Sequence, residues 1–234
     1  MRGNNRARRL RAVALAIAAV VVALLSLPYL IAPLYRFVMP VSTPMLFRWA
    51  SGARVVRTVV PLSRVARALP ITVIMAEDGS FCRNRGVDLG AVREALRQAD
   101  DDIAEARGGS TITQQTAKNL FLWEGRSFVR KALEFPLALW INLVLPKRRV
   151  MEIYLNIVEW GPNGEFGVEA AARHAFGKSA HDLDAREAAE LAAILPNPVR
   201  RSAKAPSAMV RRLAALYQRR AAEYATRDAC IFPH

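Results

Sequence analysis

The sequence predicts a mainly α-helical protein in which one membrane-crossing helix precedes a single helical domain. Three observations predict it. The run Ala12 to Tyr35 carries no charge and is long enough to cross a hydrocarbon layer of about 30 Å as a helix. Past residue 70, apolar residues recur at spacings of three and four, with few β-branched alternations. Clusters of Gly, Pro and Asn separate these periodic stretches. A chain of 234 residues with one such span leaves room for a domain of roughly 150–200 residues, enough for a real core.

The first element is read as a membrane anchor over 12–35. A signal peptide is the competing reading, but its apolar region usually runs about 7–15 residues to a small-residue cleavage site, and no such site is found. Arg2, Arg6, Arg8, Arg9 and Arg11 precede the run, and only Arg36 and Arg48 follow closely. That bias places the tail 1–11 in the cytoplasm and the rest across the membrane.

The net charge of +14 suggests nucleic acid until its distribution is considered. No Asp or Glu occurs before Glu77, so residues 1–76 hold eleven arginines unopposed and everything after them carries only +3. In the segment 36–60 and just beyond, Arg48, Arg54, Arg57, Arg64 and Arg67 alternate with Leu46, Phe47, Trp49, Val55 and Val56. That mixture suits anionic lipid headgroups with apolar side chains beneath them. A solvated basic linker is the plainer alternative. No helix-turn-helix, finger or arginine-rich recognition pattern follows, which argues against nucleic acid.

Helices are expected over about 64–77, 88–106, 110–122, 127–145, 147–156, 165–176, 184–195 and 207–225. Four segments among them can carry chemistry. In "EDGSFCRNRGVD", Glu77 and Asp78 leave the apolar helix "PITVIMA". A carboxylate in that position tends to have a raised pKa through desolvation, which suits a general base. The alternative is that one of the pair caps a helix or pairs with Arg83 or Arg85.

In "GGSTITQQTAKNLF", residues 108–121, Gly108 and Gly109 free the backbone, Ser110 is a sound N-cap, and the following helix aims its free N–H groups at an anion. Gln114 and Gln115 can donate to and accept from sugar hydroxyls, and Lys118 adds a point charge. A polar surface helix is the alternative.

In the third segment, from Gly125 to Leu145, Arg126, Arg130 and Glu134 share one helical face beside Lys131. So apolar a helix is expected to be mostly buried, where its charges need a partner or a task. Pro136 predicts a kink near Leu133 to Phe135. In the fourth, Tyr154 and Asn156 end a helix ahead of a Gly-rich turn, mostly as scaffold.

Together, in this order, Glu77-Asp78 with Phe81, Gly86 and Asp88, then "GGSTITQQTAKNLF", "RKALE", and "EIYLN" ahead of "GVEAAARHAFGK" resemble the peptidoglycan glycosyltransferases over about residues 61–200. The chain ends at His234, which makes it similar to the monofunctional transglycosylases rather than to bifunctional penicillin-binding proteins.

The resemblance implies a lysozyme-like glycosyltransferase domain over 61–234. It would be periplasmic on a single-pass anchor in the bacterial inner membrane, polymerising lipid II into glycan strands for cell-wall biogenesis. It implies that Glu77 is the catalytic base and Glu134 the second essential glutamate. Ser110, Thr111, Gln114, Gln115, Lys118, Asn119, Arg126, Arg130 and Lys131 would bind substrate, with Asp78, Phe81, Asn84, Tyr154 and Asn156 in support. Implied partners are lipid II, the growing glycan strand, membrane lipids and proteins of cell-wall synthesis or division.

The family often uses a divalent cation, Mg or Mn, near the diphosphate, but His174, His181 and His234 are not spaced as ligands, and no cofactor is expected. Asn84 stands where the family usually has His, and Ser80 where it often has a basic residue. These departures keep a catalytically impaired scaffold in view; a lysozyme-like cell-wall hydrolase is the other alternative, against which the long "GGSTITQQTAKNLF" match speaks. Cys82 and Cys230, the only cysteines, would form a disulfide in an oxidising compartment or stand as two buried thiols.

Overall fold

The computed structural model describes residues 2–90, 93, 109–125, 127–224 and 228–232. Apart from residues 88–90 and 93, the helix expected over 88–106 lies outside them, as do Arg126 and His234.

Helix α1, Arg2–Ile31, continues into a 3-10 turn at Ala32–Arg36, where Pro33 sits in the first turn. Its apolar part, Leu10–Arg36, has a mean hydropathy of 2.5 and is exposed along most of its length, packing on the rest of the chain only near its end at Tyr29, Ala32 and Tyr35. Length and composition make it able to cross a bilayer. The end of this helix is tied to the domain. Trp140 Nε1 donates to Tyr29 O at 3.0 Å, and Arg149 donates to Tyr35 O at 2.8 Å and Val38 O at 2.9 Å. These bonds satisfy backbone carbonyls that a helix end would otherwise leave without partners.

A short helix, α2 (Thr43–Ala50), starts at the Ser42 N-cap. Strand β1, Val56–Arg57, pairs in parallel with β2, Glu165–Phe166, and this is the only sheet among the described residues. Helix α3, Ala68–Glu77, is apolar on every side, with Leu69, Ile71, Val73 and Ile74 buried. Such a helix belongs at the centre of a domain. It begins four residues later than expected, because Leu62–Arg64 form a separate 3-10 turn.

Around it stand α4 (Ile112–Phe121), α5 (Phe128–Val144), α6 (Lys147–Ile157), α7 (Val168–Phe176), α8 (Ala185–Ile194) and α9 (Ala208–Tyr224). The expected 165–176 helix divides at Gly167, whose φ of +84° suits a residue without Cβ, leaving Glu165–Phe166 as strand. Pro136 is held inside the continuous α5.

The tail is fastened to the loop after α3. Cys82 and Cys230 are disulfide-bonded across 148 residues of sequence. The fully buried Asp228 accepts from Arg67, Arg67 also lies over the Phe232 ring at 5.1 Å, and Arg148 donates to Ile231 O. A cross-link closing so long a loop contributes about 2–4 kcal/mol by restricting the unfolded chain. Reduction, or Cys82→Ser, is therefore expected to lower the melting temperature by roughly 5–15 °C. Thermal melts with and without reductant measure it, and the Ser variant should no longer respond to reductant.

Candidate active site

Glu77 and Asp78 are adjacent but face different tasks. Helix α3 ends at Glu77, and Asp78 turns its buried carboxylate to the start of α4. There it accepts from the backbone N–H of Ile112 at 3.1 Å, from Ser80 Oγ at 3.0 Å, and from Asn84 Nδ2 at 3.0 and 3.1 Å. An anion at a helix N-terminus is favourably placed. Asp78 is thus the member of the pair that caps. Burial raises its pKa, against the opposing pull of Ser80, the Ile112 amide, Asn84 and Lys147.

Glu77 instead lines a cleft of about 250 Å³ with Ser80, Asp88, Gly109 and Ser110. Its Oε2 accepts from Gln115 Nε2 at 2.7 Å, and Gln115 Oε1 in turn accepts from the Tyr154 hydroxyl at 2.9 Å. Burial raises the Glu77 pKa, with Gln115, Lys118 and Arg201 opposing and Asp78 adding to the rise. Tyr154, wholly buried, has a pKa raised well above its ordinary value by burial and by the two carboxylates.

Helix α4 starts two residues later than expected, and its N-cap moves one residue on from Ser110. Thr111 is its N-cap and closes a capping box with Gln114, while Thr111 Oγ1 donates to Gly86 O at 2.6 Å. Thr111 and Gln114, expected at the substrate, are therefore buried and occupied by the backbone. Gly86 can accept Thr111 because its φ is +95° and it packs where a Cβ would lie 2.5 Å from Ala138 O on α5. Ser110, relieved of capping, points its hydroxyl to Glu134 Oε1 at 3.3 Å and accepts from Lys131 Nζ at 3.1 Å. Asn119 is held by its own helix and by α2, through Gln115 O and Thr43 Oγ1. Asn156 pins Val60 through both its amide atoms. Phe81 is fully buried.

Helix α5 is only partly the buried apolar helix expected: Leu137, Ala138 and Ile141 are buried, but several apolar side chains at its ends are not. Its charged Glu134 is 2% exposed, whereas Phe128 and Leu143 are 79% and 75% exposed. Phe37, Phe47 and Trp49 are exposed as well, and α5 is tied to the end of the anchor through Trp140 and Tyr29; exposed apolar side chains near an anchor are suited to a membrane or partner contact. Hydropathy is the same for a side chain facing a core and one facing lipid, so the pattern could not separate them.

Glu134 receives Arg130 Nη1 at 2.8 Å and Lys131 Nζ at 2.5 Å. Arg130 Nε is buried without a hydrogen-bond partner. Lys118 lies within electrostatic reach of Glu77 and of Glu134, Arg130, Glu124 and Lys131. Burial lowers its pKa, with Glu134 opposing, and no described residue forms a salt bridge with it. A half-buried, unpaired ammonium beside an unpaired guanidinium N–H is suited to an anion.

Arg201 and Tyr217 were not singled out from sequence, yet both lie within electrostatic reach of Glu77. Arg201 is anchored by Ala193 O at 2.8 Å. Both are remote from every motif, and no sequence signal marked them. A divalent cation fits poorly on the Glu134 side of the cleft, because both carboxylate oxygens already bind cationic side chains.

Comparison with known proteins places relatives beside this chain. The family profile described as "Transglycosylase" matches residues 45–221. The biosynthetic peptidoglycan transglycosylase of Nitrobacter hamburgensis is 60% identical over 86% of this chain and 88% of its own length. That of Rhodopseudomonas palustris strain CGA009 is 60% identical over 86% and 85%. That of Agrobacterium fabrum is 50% identical over 85% and 88%.

Proposed function

The chain belongs to the peptidoglycan transglycosylase family, enzymes that polymerise glycan strands, and from that premise we propose how its cleft does so. Glu77 takes the proton from the 4-hydroxyl of the lipid II acceptor as that oxygen attacks the anomeric carbon of the growing donor chain. The new O4–C1 bond forms on the face opposite the departing phosphate oxygen, so configuration inverts, and polyprenyl diphosphate leaves with the bonding electron pair. Lys118 and Arg130 receive the diphosphate. Contacts that strengthen as charge builds on the leaving group lower the barrier as well as aid binding.

The observation that carries this reading is Lys118, half-buried, without a salt bridge among the described residues, and within electrostatic reach of both Glu77 and Glu134. Burial supports Glu77 as base, because a raised pKa brings it nearer the working pH. Asn84 and Ser80, the departures from the family pattern, both hold Asp78, so neither favours an impaired scaffold. The exposed apolar side chains near the end of α1 support a domain seated on the outer face of the inner membrane. The arginine-rich amino terminus would then lie in the cytoplasm.

Full-length protein in detergent, given labelled lipid II, is expected to produce a ladder of glycan polymer that a muramidase digests to disaccharide units. Release of water-cleaved fragments from finished peptidoglycan, with no polymer from lipid II, would replace polymerisation with hydrolysis.

A further inference from the structure

Lys147 opens α6 and reaches away from the cleft side of that helix to the loop after α3. Its Nζ donates to Asn84 Oδ1 at 2.8 Å and lies 4.6 Å from the centre of the buried Phe81 ring. Asn84 Nδ2 donates to both oxygens of Asp78, and Asp78 accepts the first amide of α4, that of Ile112. One turn further along α4 stands Gln115, whose amide holds Glu77. Polar contacts therefore run from the ammonium through Asn84 and Asp78 to the first turn of α4, and the helix backbone carries that placement on to Gln115 and Glu77.

We propose that Lys147 is a positioning residue of the transglycosylase reaction: its charge, held on Asn84, fixes Asp78 on the N-terminus of α4 and so sets Gln115 against Glu77. This rests on the assignment of Glu77 as base. The charge is needed for two reasons. Asn84 presents its amide to Asp78 and its carbonyl to both Lys147 and the Gly86 N–H, so the ammonium adds a charged donor to the single backbone bond that would otherwise hold the side chain in this orientation. Asp78 is buried, and a buried carboxylate needs a nearby cation in addition to its hydrogen bonds. Lys147 supplies the cation that Asn84 lacks.

The ionisable groups facing this cluster are Asp78 at the end of α3, Asp88 across Ser80, and Tyr154 on α6. On the adjoining tail, Asp228 is engaged by Arg67. Arg148 and Arg149 turn away to Ile231 O and Tyr35 O. Burial lowers the Lys147 pKa to about 8, with Asp78 opposing.

The sign of the linkage separates positioning from folding. Between about pH 8 and 10.5 the unfolded chain holds a proton on this lysine that the folded protein has lost, so this group makes global stability rise with pH. The positioning charge is meanwhile lost. Activity should fall where the fold does not.

The test compares Lys147→Gln and Lys147→Arg with the parent chain. Lys147→Gln is expected to lower kcat on lipid II by about tenfold or more while KM moves much less. Lys147→Arg should keep activity at neutral pH and retain it at pH 9, where the parent falls. Amide exchange at 111–113 should speed up in Lys147→Gln at neutral pH, and in the parent but not in Lys147→Arg on going from pH 7 to 9, after correction for intrinsic rates. Parent-like kcat and exchange in Lys147→Gln, or alkaline profiles that coincide for the parent and Lys147→Arg, would overturn the proposal. The exchange arm needs no turnover. If the parent makes no polymer from lipid II, the functional reading fails while the role of Lys147 is still decided.

Discussion

Glu77→Gln is expected to abolish polymer formation without loosening the protein. General-base catalysis contributes about 10²–10⁴-fold, and an amide cannot accept the acceptor's proton. The local structure should survive, because the new carbonyl can receive the same hydrogen from Gln115 Nε2 that Glu77 Oε2 receives now. The effect on stability has a definite sign. Burial raises the folded pKa of Glu77 above its ordinary value. Its contribution to stability is therefore complete below the unfolded pKa and is lost as pH rises through the folded one. At neutral pH the parent bears that cost, reduced by Lys118 and Arg201. The Gln variant bears none and should melt at the same temperature or higher. The parent's rate should climb with pH as the raised Glu77 loses its proton. Lipid II turnover from pH 5 to 8, with melting curves on the same samples, measures both. A variant that keeps even a tenth of parental turnover would remove Glu77 from the role of base.

The anchor and the helical domain were legible because each leaves a pattern that local physics enforces, whereas the roles of the two glutamates came from the family resemblance. What sequence left open was which of two equivalent side chains does which task. Glu77 and Asp78 look alike at the end of an apolar helix, and only the approach of the Ile112 amide assigns Asp78 to the cap. Ser110 and Thr111 are both good N-caps. The choice was in fact readable, since Gln stands three residues after Thr111 and Thr three after Ser110, and only the former completes a capping box. Helix α5 was partly misread, for a deeper reason. Burial was inferred from hydropathy, which does not distinguish a protein interior from a bilayer. Arg201 and Lys147 reach the site from remote segments, and no local pattern encodes a contact made by tertiary packing. The disulfide rested on a count of two cysteines and an oxidising compartment. Its partners Asp228 and Arg67 gave no such sign.

Glu134→Ala is expected to cost both activity and stability, in contrast to Glu77→Gln. The carboxylate is 2% exposed and the Arg130 side chain 11%. Removing one partner of so buried a pair leaves an uncompensated charge and costs about 3–5 kcal/mol. The melting temperature should fall by roughly 6–20 °C. Lys131, nearly half exposed, adds little, since water screens it. Loss of activity alone would then be ambiguous, because an unfolded enzyme is also inactive. Replacing both partners separates the two effects. Glu134→Leu with Arg130→Met fills a similar volume with apolar groups, and such exchanges are often neutral or stabilising. The double variant should recover most of the lost melting temperature and remain unable to polymerise lipid II, because the guanidinium beside Lys118 and the carboxylate that holds it in place are both gone. Recovery of polymerisation along with stability would make the pair a structural brace, and would leave Lys118 as the cation on which departure of the diphosphate depends.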